Sequence, residues 1–239
     1  MKVAIVTGGT AGMGEATAQE LVKRGWQVAV MARNKLHKTI FSVQGDVAQD
    51  ADCRRVAKAV LDKWGRIDAL VNNAGTTKFV KHDDLEGLSA DDILGIFRVN
   101  FVGPWQMIRA CAPALKEARG SIVNVSSVAA VLGTGSSVAY AASKAALETM
   151  TMSLARALAP EIRVNVVAPG FVKTQWQIGA HGAAGADELE RRYAAVAPLK
   201  TAVEAQDVAE AIAWLVEGAR RVTGEIIYVD SGMHIASPR

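Results

Sequence analysis

KVAIVTGGTAGMG, residues 2–14, decides the fold. Residues 2 to 7 form a short, almost unbroken apolar run, the pattern of a strand buried on both faces. Gly8, Gly9, Gly12 and Gly14 then crowd into seven positions, and a helical pattern runs over residues 13 to 24. Glycines between a strand and a helix let the backbone turn tightly and approach a pyrophosphate, which the N–H groups and dipole of the helix N-terminus favour. The spacing is TGxxxGxG rather than GxGxxG, and it lacks the Gly-Lys-Ser/Thr ending of a P-loop, which argues against an NTPase. A tight turn with no ligand is the alternative. Its place after the first strand favours nucleotide binding.

Outward from this stretch, strands and helices alternate. Strands are expected at residues 2–7, 27–31, 39–43, 67–71, 121–125, 163–167 and 225–229. Helices are expected near 13–24, 50–64, 90–117, 139–158 and 204–217. That order predicts an α/β chain: a doubly wound, seven-stranded, mainly parallel sheet with helices on both faces. No linker is visible, so residues 1–239 read as one domain. One link breaks the pattern. Only Ala32 to Lys38 separate the second and third strands, and a parallel crossover usually takes about a dozen residues or more. Either the strands are shorter or the crossover is a bare loop, and the region beside it should be open.

Composition narrows the function. Half of the 239 residues are hydrophobic, and the net charge is +3 with no Lys/Arg block, so no nucleic acid partner is expected. Mean hydropathy is +0.16, yet no apolar run approaches the ~18 residues of a membrane span, so no membrane partner is expected. The N-terminus has no signal-peptide pattern, and Cys53 and Cys111 form no CxxC, so a reducing cytoplasm is the expected location. The four histidines include no HxxxH or Cys/His cluster, so no metal site is expected.

The chemistry sits further along. Tyr140 and Lys144 in YAASK share one helix face by their i, i+4 spacing. A nearby ammonium stabilises a phenolate and lowers the phenol from its usual pKa of about 10, so the tyrosine can trade a proton near neutrality. Alone, YxxxK reads as an exposed Lys beside a buried Tyr. Here it has company at the strand ends: Asn72 and Asn73 in NNAG, Ser127 in NVSS thirteen residues before Tyr140, and Pro169 and Gly170 in APG. Ligands bind at such carboxyl ends in open α/β sheets.

With these motifs the chain resembles the short-chain dehydrogenase/reductase family, from TGGTAGMG to TGEIIYVDSG at residues 223–232. The resemblance implies a Rossmann-like fold and a hydride transfer between a nicotinamide cofactor and a carbonyl or alcohol. It implies Tyr140 as general acid/base, Lys144 lowering its pKa and holding the nicotinamide ribose, and Ser127 orienting the substrate, with Ser126 the lesser choice. It assigns Asn100, in RVNFVG, a proton-relay water; from the residues alone Asn100 reads as a polar residue inside a helix bent near Pro104. It implies a cofactor site of Gly8, Thr10, Gly12, Met13, Gly14, Asp46, Val47, Asn73, Ala74, Gly75, Pro169, Gly170, Val172 and Thr174. The closing contacts are Asp46 to adenine and Thr174 to the carboxamide.

The second strand ends VAVMARN. Ala32 stands where an acidic residue would bond ribose hydroxyls, and Arg33 can grip a 2′-phosphate, with Thr10 and Asn34 adding hydrogen bonds. This resembles members that prefer NADP(H). Ala11, where many such members carry a basic residue, lowers the preference, and Lys35 or Lys38 could substitute. Residues 175–200 are expected to be a mobile substrate cover hinged at Gly179, Gly182 and Gly185, as the family implies. Trp176, Ile178, Val131 and Leu132 are candidates for an apolar pocket. His181, Arg191 and Arg192 read as exposed, and Trp26, Trp64, Trp105 and Trp214 as core or contact residues. Helices apolar on more than one face fit a homo-oligomer, a tetramer or dimer, as the family implies. The expected function is NADP(H)-dependent interconversion of a carbonyl and an alcohol on a small molecule. The alternatives are an NAD(H)-preferring alcohol dehydrogenase and a non-catalytic nucleotide-binding regulator.

Overall fold

A computed structural model describes residues 1–34 and 36–236. Lys35 lies outside the described residues. The seven strands are β1 (Val3–Thr7), β2 (Gln27–Ala32), β3 (Phe41–Gln44), β4 (Ala69–Asn72), β5 (Ser121–Val125), β6 (Arg163–Pro169) and β7 (Ile226–Val229). They form one sheet of order β3-β2-β1-β4-β5-β6-β7 in which every pairing is parallel. The helices are α1 (Gly12–Lys23), α2 (Asp50–Trp64), α3 (Ala90–Phe97), α4 (Gly103–Ala118), α5 (Ala129–Leu132), α6 (Val138–Leu158), α7 (Gln175–Val196) and α8 (Ala205–Glu217).

The unbroken apolar strands have a direct cause. Side chains alternate across a strand, and both faces are covered. Val3, Ile5, Leu70, Ile122 and Val164 pack against α2, α4 and α6. Ala4, Val6, Val71, Val123 and Val167 pack against α1 and α8 on the other face. Trp26 Nε1 donates to Glu217 at 2.5 Å and ties α1's end to α8.

The structure refines several expectations. The third strand starts at Phe41, not Thr39, and the fourth runs Ala69–Asn72, because the parallel register with their neighbours sets the ends. Both alternatives for the short link after β2 hold: β3 is trimmed, no helix lies between β2 and β3 among the described residues, and β3 is an only partly buried edge strand. His37 organises this loop: its Nδ1 accepts the Thr39 and Ile40 N–H groups at 3.2 and 3.1 Å. The helix over 90–117 is not continuous. A π turn over Arg98–Val102, holding Asn100, separates α3 from α4, and Pro104 sits in the first turn of α4, where its missing N–H costs nothing. The segment 175–200 is mostly helix, broken at Gly182 alone, where φ is 69° and ψ 168°. Finally, Trp105 and Trp214 are 43% and 46% exposed, so they are not core residues.

The interior strand β5, flanked by β4 and β6, should tolerate truncation poorly. Ile122→Ala removes a fully buried side chain. We expect a loss of about 2–5 kcal/mol in urea-induced unfolding, with an unchanged m-value.

Candidate active site

The chain winds outward through β1, β2 and β3, then returns to β4 on the far side of β1. The switch point between β1 and β4 opens a crevice at the carboxyl ends of the strands. Thr7 and Asn72 are register partners at its mouth. Thr7 Oγ1 accepts the N–H groups of Asn73 and Ala74, both at 3.1 Å. The Asn73 amide donates to the carbonyls of Thr7 and Gly8 at 3.0 and 3.3 Å. Gly14 completes the clamp: a Cβ there would stand 2.3 Å from the Gly8 carbonyl and 2.4 Å from Asn73 Nδ2.

Two adjoining cavities follow. The first, of about 490 Å³, is lined by Gly8, Thr10, Gly12, Met13, Arg33, Asn34, Asp46, Val47, Asn73, Ala74, Gly75 and Thr174. The second, of about 560 Å³, contains Ser127, Tyr140, Pro169, Gly170 and Val172. Met13, Thr174 and Trp176 border both. Gly14 and Lys144 line neither; Gly14 packs behind the turn, and Lys144 is buried.

The first cavity fits a dinucleotide. Ala11, Gly12 and Met13 bring the start of α1 to its wall, and the Ala11 cap offers no side-chain hydrogen bond. The leading N–H groups of the helix are therefore available to a phosphate. Ala32 and Arg33 stand at the far end, and the Arg33 carbonyl takes the Gln44 amide at 2.8 Å, fixing the loop's root.

Around the reactive end, Ser137 caps α6 by accepting the Tyr140 N–H at 3.3 Å. Lys144 Nζ donates to the Val125 carbonyl at 2.7 Å and stands 5.7 Å from the centre of the Tyr140 ring. Asn100 is fully buried and its amide is spoken for. Oδ1 accepts the Thr76 N–H at 2.8 Å, and Nδ2 donates to the Thr76 carbonyl and the Ser143 hydroxyl at 2.9 and 3.0 Å. Ser143 Oγ in turn donates to the Tyr140 carbonyl at 2.7 Å. The Asn100 side chain thus pins the loop after β4 to α6. The π turn, not the bend at Pro104, delivers it there.

The electrostatics differ from the expectation that Lys144 lowers the Tyr140 pKa. Burial pushes the Tyr140 phenol up to about 12, with the Ser127 hydroxyl pulling the other way. Burial pushes Lys144 down to about 8, with the Glu148 carboxyl opposing it. Loss of hydration is the largest cause of both shifts. Ser126 and Ser127 both line the second cavity, but the buried Ser126 hydroxyl donates to the Lys144 carbonyl at 3.3 Å.

A sequence model of a family described as enoyl-(acyl carrier protein) reductase matches residues 8–234. The chain is 37% identical over 243 residues to the protein named as ketoacyl reductase 2 of the granaticin polyketide synthase of Streptomyces violaceoruber, spanning 98% of this chain and 96% of that one. A solved structure named as a short-chain dehydrogenase/reductase, from Burkholderia xenovorans, is 36% identical with a TM-score of 0.88 and covers 99% of both chains. The chain belongs to the short-chain dehydrogenase/reductase family. The structure titled ElxO with NADP bound is 26% identical with a TM-score of 0.86, covering 97% of this chain and 98% of that one. This short-chain dehydrogenase/reductase is therefore an oxidoreductase similar to ketoacyl reductases. The names of its relatives span different reductions, so the substrate must be read from the pocket.

Among the described residues, no helix is long and apolar enough to cross a membrane, and no cluster of three or more His, Cys, Asp or Glu side chains is placed to hold a metal. In the second cavity Trp176 and Leu132 line the wall, whereas Ile178 and Val131 do not. Arg191 and Arg192 pair with Glu188 on the surface of α7.

Sequence reasoning missed three residues. Tyr193, late in α7, donates to the Asp230 carbonyl at 2.6 Å and closes over Gly170. Phe79 lies in the loop after β4 and borders the second cavity. Glu148, one turn beyond Lys144, is buried with Oε1 unpartnered. A charged residue four positions after Lys144, on a helix apolar all round, was the available signal for the last.

Burial raises the Glu148 pKa, while the Ser126 hydroxyl and the Lys144 ammonium partly offset it. A carboxyl raised on folding binds more protons in the folded state, so its contribution to stability falls as pH rises from its unfolded value. Glu148→Gln removes that loss. The thermal midpoint of the variant relative to wild type should rise as the pH is raised above the ordinary carboxylate range, as read by calorimetry.

Proposed function

We propose that the protein is an NADP(H)-dependent reductase that interconverts a small-molecule carbonyl and its alcohol, with Tyr140 as general acid/base. The observation that carries this reading is the placement of Ser127 and Tyr140 in one wall of a cavity that adjoins the dinucleotide-sized crevice at Met13, Thr174 and Trp176.

Gly8, Thr10, Gly12, Met13, Asn73, Ala74, Gly75 and Thr174 would hold the dinucleotide, with Gly14 allowing the turn to close. Asp46 and Val47 would flank its adenine, and Pro169, Gly170 and Val172 would back its nicotinamide end. Bound there, the nicotinamide supplies or accepts the hydride. The Ser127 and Tyr140 hydroxyls meet the negative charge that develops on the substrate oxygen. A phenol held near 12 keeps its proton at neutral pH, so Tyr140 stands ready to donate in the direction of reduction. Lys144, still mostly protonated at neutral pH, would hold the ribose. Asn100 would act by holding the loop after β4 against α6 beside Tyr140. Tyr140→Phe should lower kcat by at least about a thousandfold with little change in cofactor Kd, measured by NADPH absorbance and fluorescence titration.

The choice of NADP(H) rests on Arg33. It lines the first cavity beside Ala32, forms no ion pair among the described residues, and lies on an open loop with no crossover helix over it. Arg33→Asp should weaken NADPH binding by about ten- to a hundredfold, the worth of a bidentate charged contact, and leave NADH nearly unchanged. Equal losses for the two cofactors would overturn the phosphate contact. The NAD(H)-preferring and regulatory readings keep the crevice but have no use for Arg33 or Tyr140, respectively. The same reading has the enzyme reducing compartment-soluble substrates in the cytoplasm as a homo-oligomer. Val102, Trp105 and Met152, exposed on or beside α4 and α6, offer an apolar contact face.

A further inference from the structure

Two rings from distant parts of the chain meet at the second cavity. The Phe79 and His181 rings pack edge to face, with centres 4.9 Å apart and planes at 84°. Each is held in place by its own side of the pocket. Beside Phe79, the Val80 N–H donates to the Ser136 carbonyl at 2.9 Å, and the Thr77 and Ser136 hydroxyls are hydrogen-bonded at 2.7 Å. The strand-end loop is thereby stitched to the segment before α6.

His181 is placed by the break in α7. Beyond Gly182 the helix is anchored: Lys173 pairs with Asp187 at 3.2 Å and with Glu190, Ala186 is buried, and Tyr193 bonds the Asp230 carbonyl. At Gly182 the backbone adopts φ 69°, a left-handed conformation that costs glycine little. The turn there directs residues 175–181 back across the cavity. Trp176 then meets Tyr140 edge-on, with ring centres 6.1 Å apart, and His181 reaches Phe79.

Leu132, Phe171, Leu189 and Met233 give the cavity a largely apolar lining, with Lys81, Thr134, Ser136 and Gln177 in its polar part, and among the described residues no carboxylate lines it. With the Phe79–His181 pair and the Trp176–Tyr140 pair both in its lining, the cavity offers ring faces and edges against which a flat apolar group can pack. We propose that Phe79 and His181 are the specificity-determining wall of this site and that they select ketones carrying an aryl or fused-ring group. The proposal rests on the reductase reading and adds the substrate class. The carbonyl lies at Ser127 and Tyr140, and the flat group packs against Phe79 and His181. Neither ring touches the reacting atoms, so they act on binding and not on the proton transfer.

The test compares 1-tetralone with 2-butanone under NADPH turnover, using wild type, Phe79→Ala, Phe79→Leu, His181→Ala and the double alanine variant. Phe79 is 38% exposed and His181 lies on the surface, so none of these should unfold the protein. The expected result is a rise of about tenfold in the KM for 1-tetralone in each alanine variant, with kcat within about twofold and the KM for 2-butanone unchanged. The double variant should lose no more than about the larger single loss, because the two rings share one contact. Phe79→Leu should behave as the alanine variant if the ring edge matters, and as wild type if only bulk does; the second outcome overturns the aryl selection. Equal changes for both ketones, or none, overturn the wall and leave the reductase reading standing. Failure of wild type to reduce either ketone counts against that reading instead. Tryptophan fluorescence titration with the same ketones then decides the wall: tighter binding of 1-tetralone that is lost in Phe79→Ala upholds it, and no preference overturns it.

Discussion

The Thr7 hydroxyl is the contact on which the site depends. It accepts two backbone N–H groups from the neighbouring strand's exit, at Asn73 and Ala74, and so sets how β4 leaves the sheet beside β1. The Asn73 amide returns the link by donating to the Thr7 and Gly8 carbonyls. A parallel sheet must part its connections to opposite faces somewhere, and the gap that results is where backbone groups lack sheet partners. Here the gap is braced by side chains, and only glycine at position 14 lets the first helix start close enough to complete it. Both cavities open from this braced point.

Burial governs the reactive end. Tyr140, Lys144 and Glu148 follow one another by single turns along α6, and each is displaced from its ordinary pKa toward its neutral form. The phenol is held protonated, and the buried lysine beside it needs a compensating charge. Glu148 supplies part of that compensation while leaving one carboxyl oxygen unpartnered. Such an arrangement costs stability in the resting protein, as strained or under-satisfied groups at functional sites commonly do.

Asn100 shows how far a local feature can reach. Its amide satisfies both backbone groups of Thr76 and also bonds the Ser143 hydroxyl, so the loop after β4, the π turn and α6 are tied together at one side chain. A regular α-helix over 90–117 would not present it this way; the π turn over Arg98–Val102 rotates it inward. The hydrophobic pattern along that stretch has no mark of the extra residue in the turn, which is why a continuous helix was the natural reading of the sequence.

The sequence by itself determined the winding order, the two covered faces and the positions of the glycine turn, Ser127, Tyr140 and Lys144. Those follow from local rules: apolar periodicity, glycine at a strand-to-helix turn, and i, i+4 spacing. The bare loop after β2 was also legible, because seven residues cannot hold a crossover helix. Tertiary structure alone decided the rest. Strand ends at Phe41 and Asn72 came from register with neighbours. The inward turn of Asn100 came from contacts with Thr76 and Ser143. The pKa values of Tyr140 and Lys144 came from how much water packing removed. Phe79 and His181 stand about a hundred positions apart in the chain. Their meeting depends on the break at Gly182 and the anchoring of the helix beyond it, which are sums of distant contacts that no short stretch of sequence encodes.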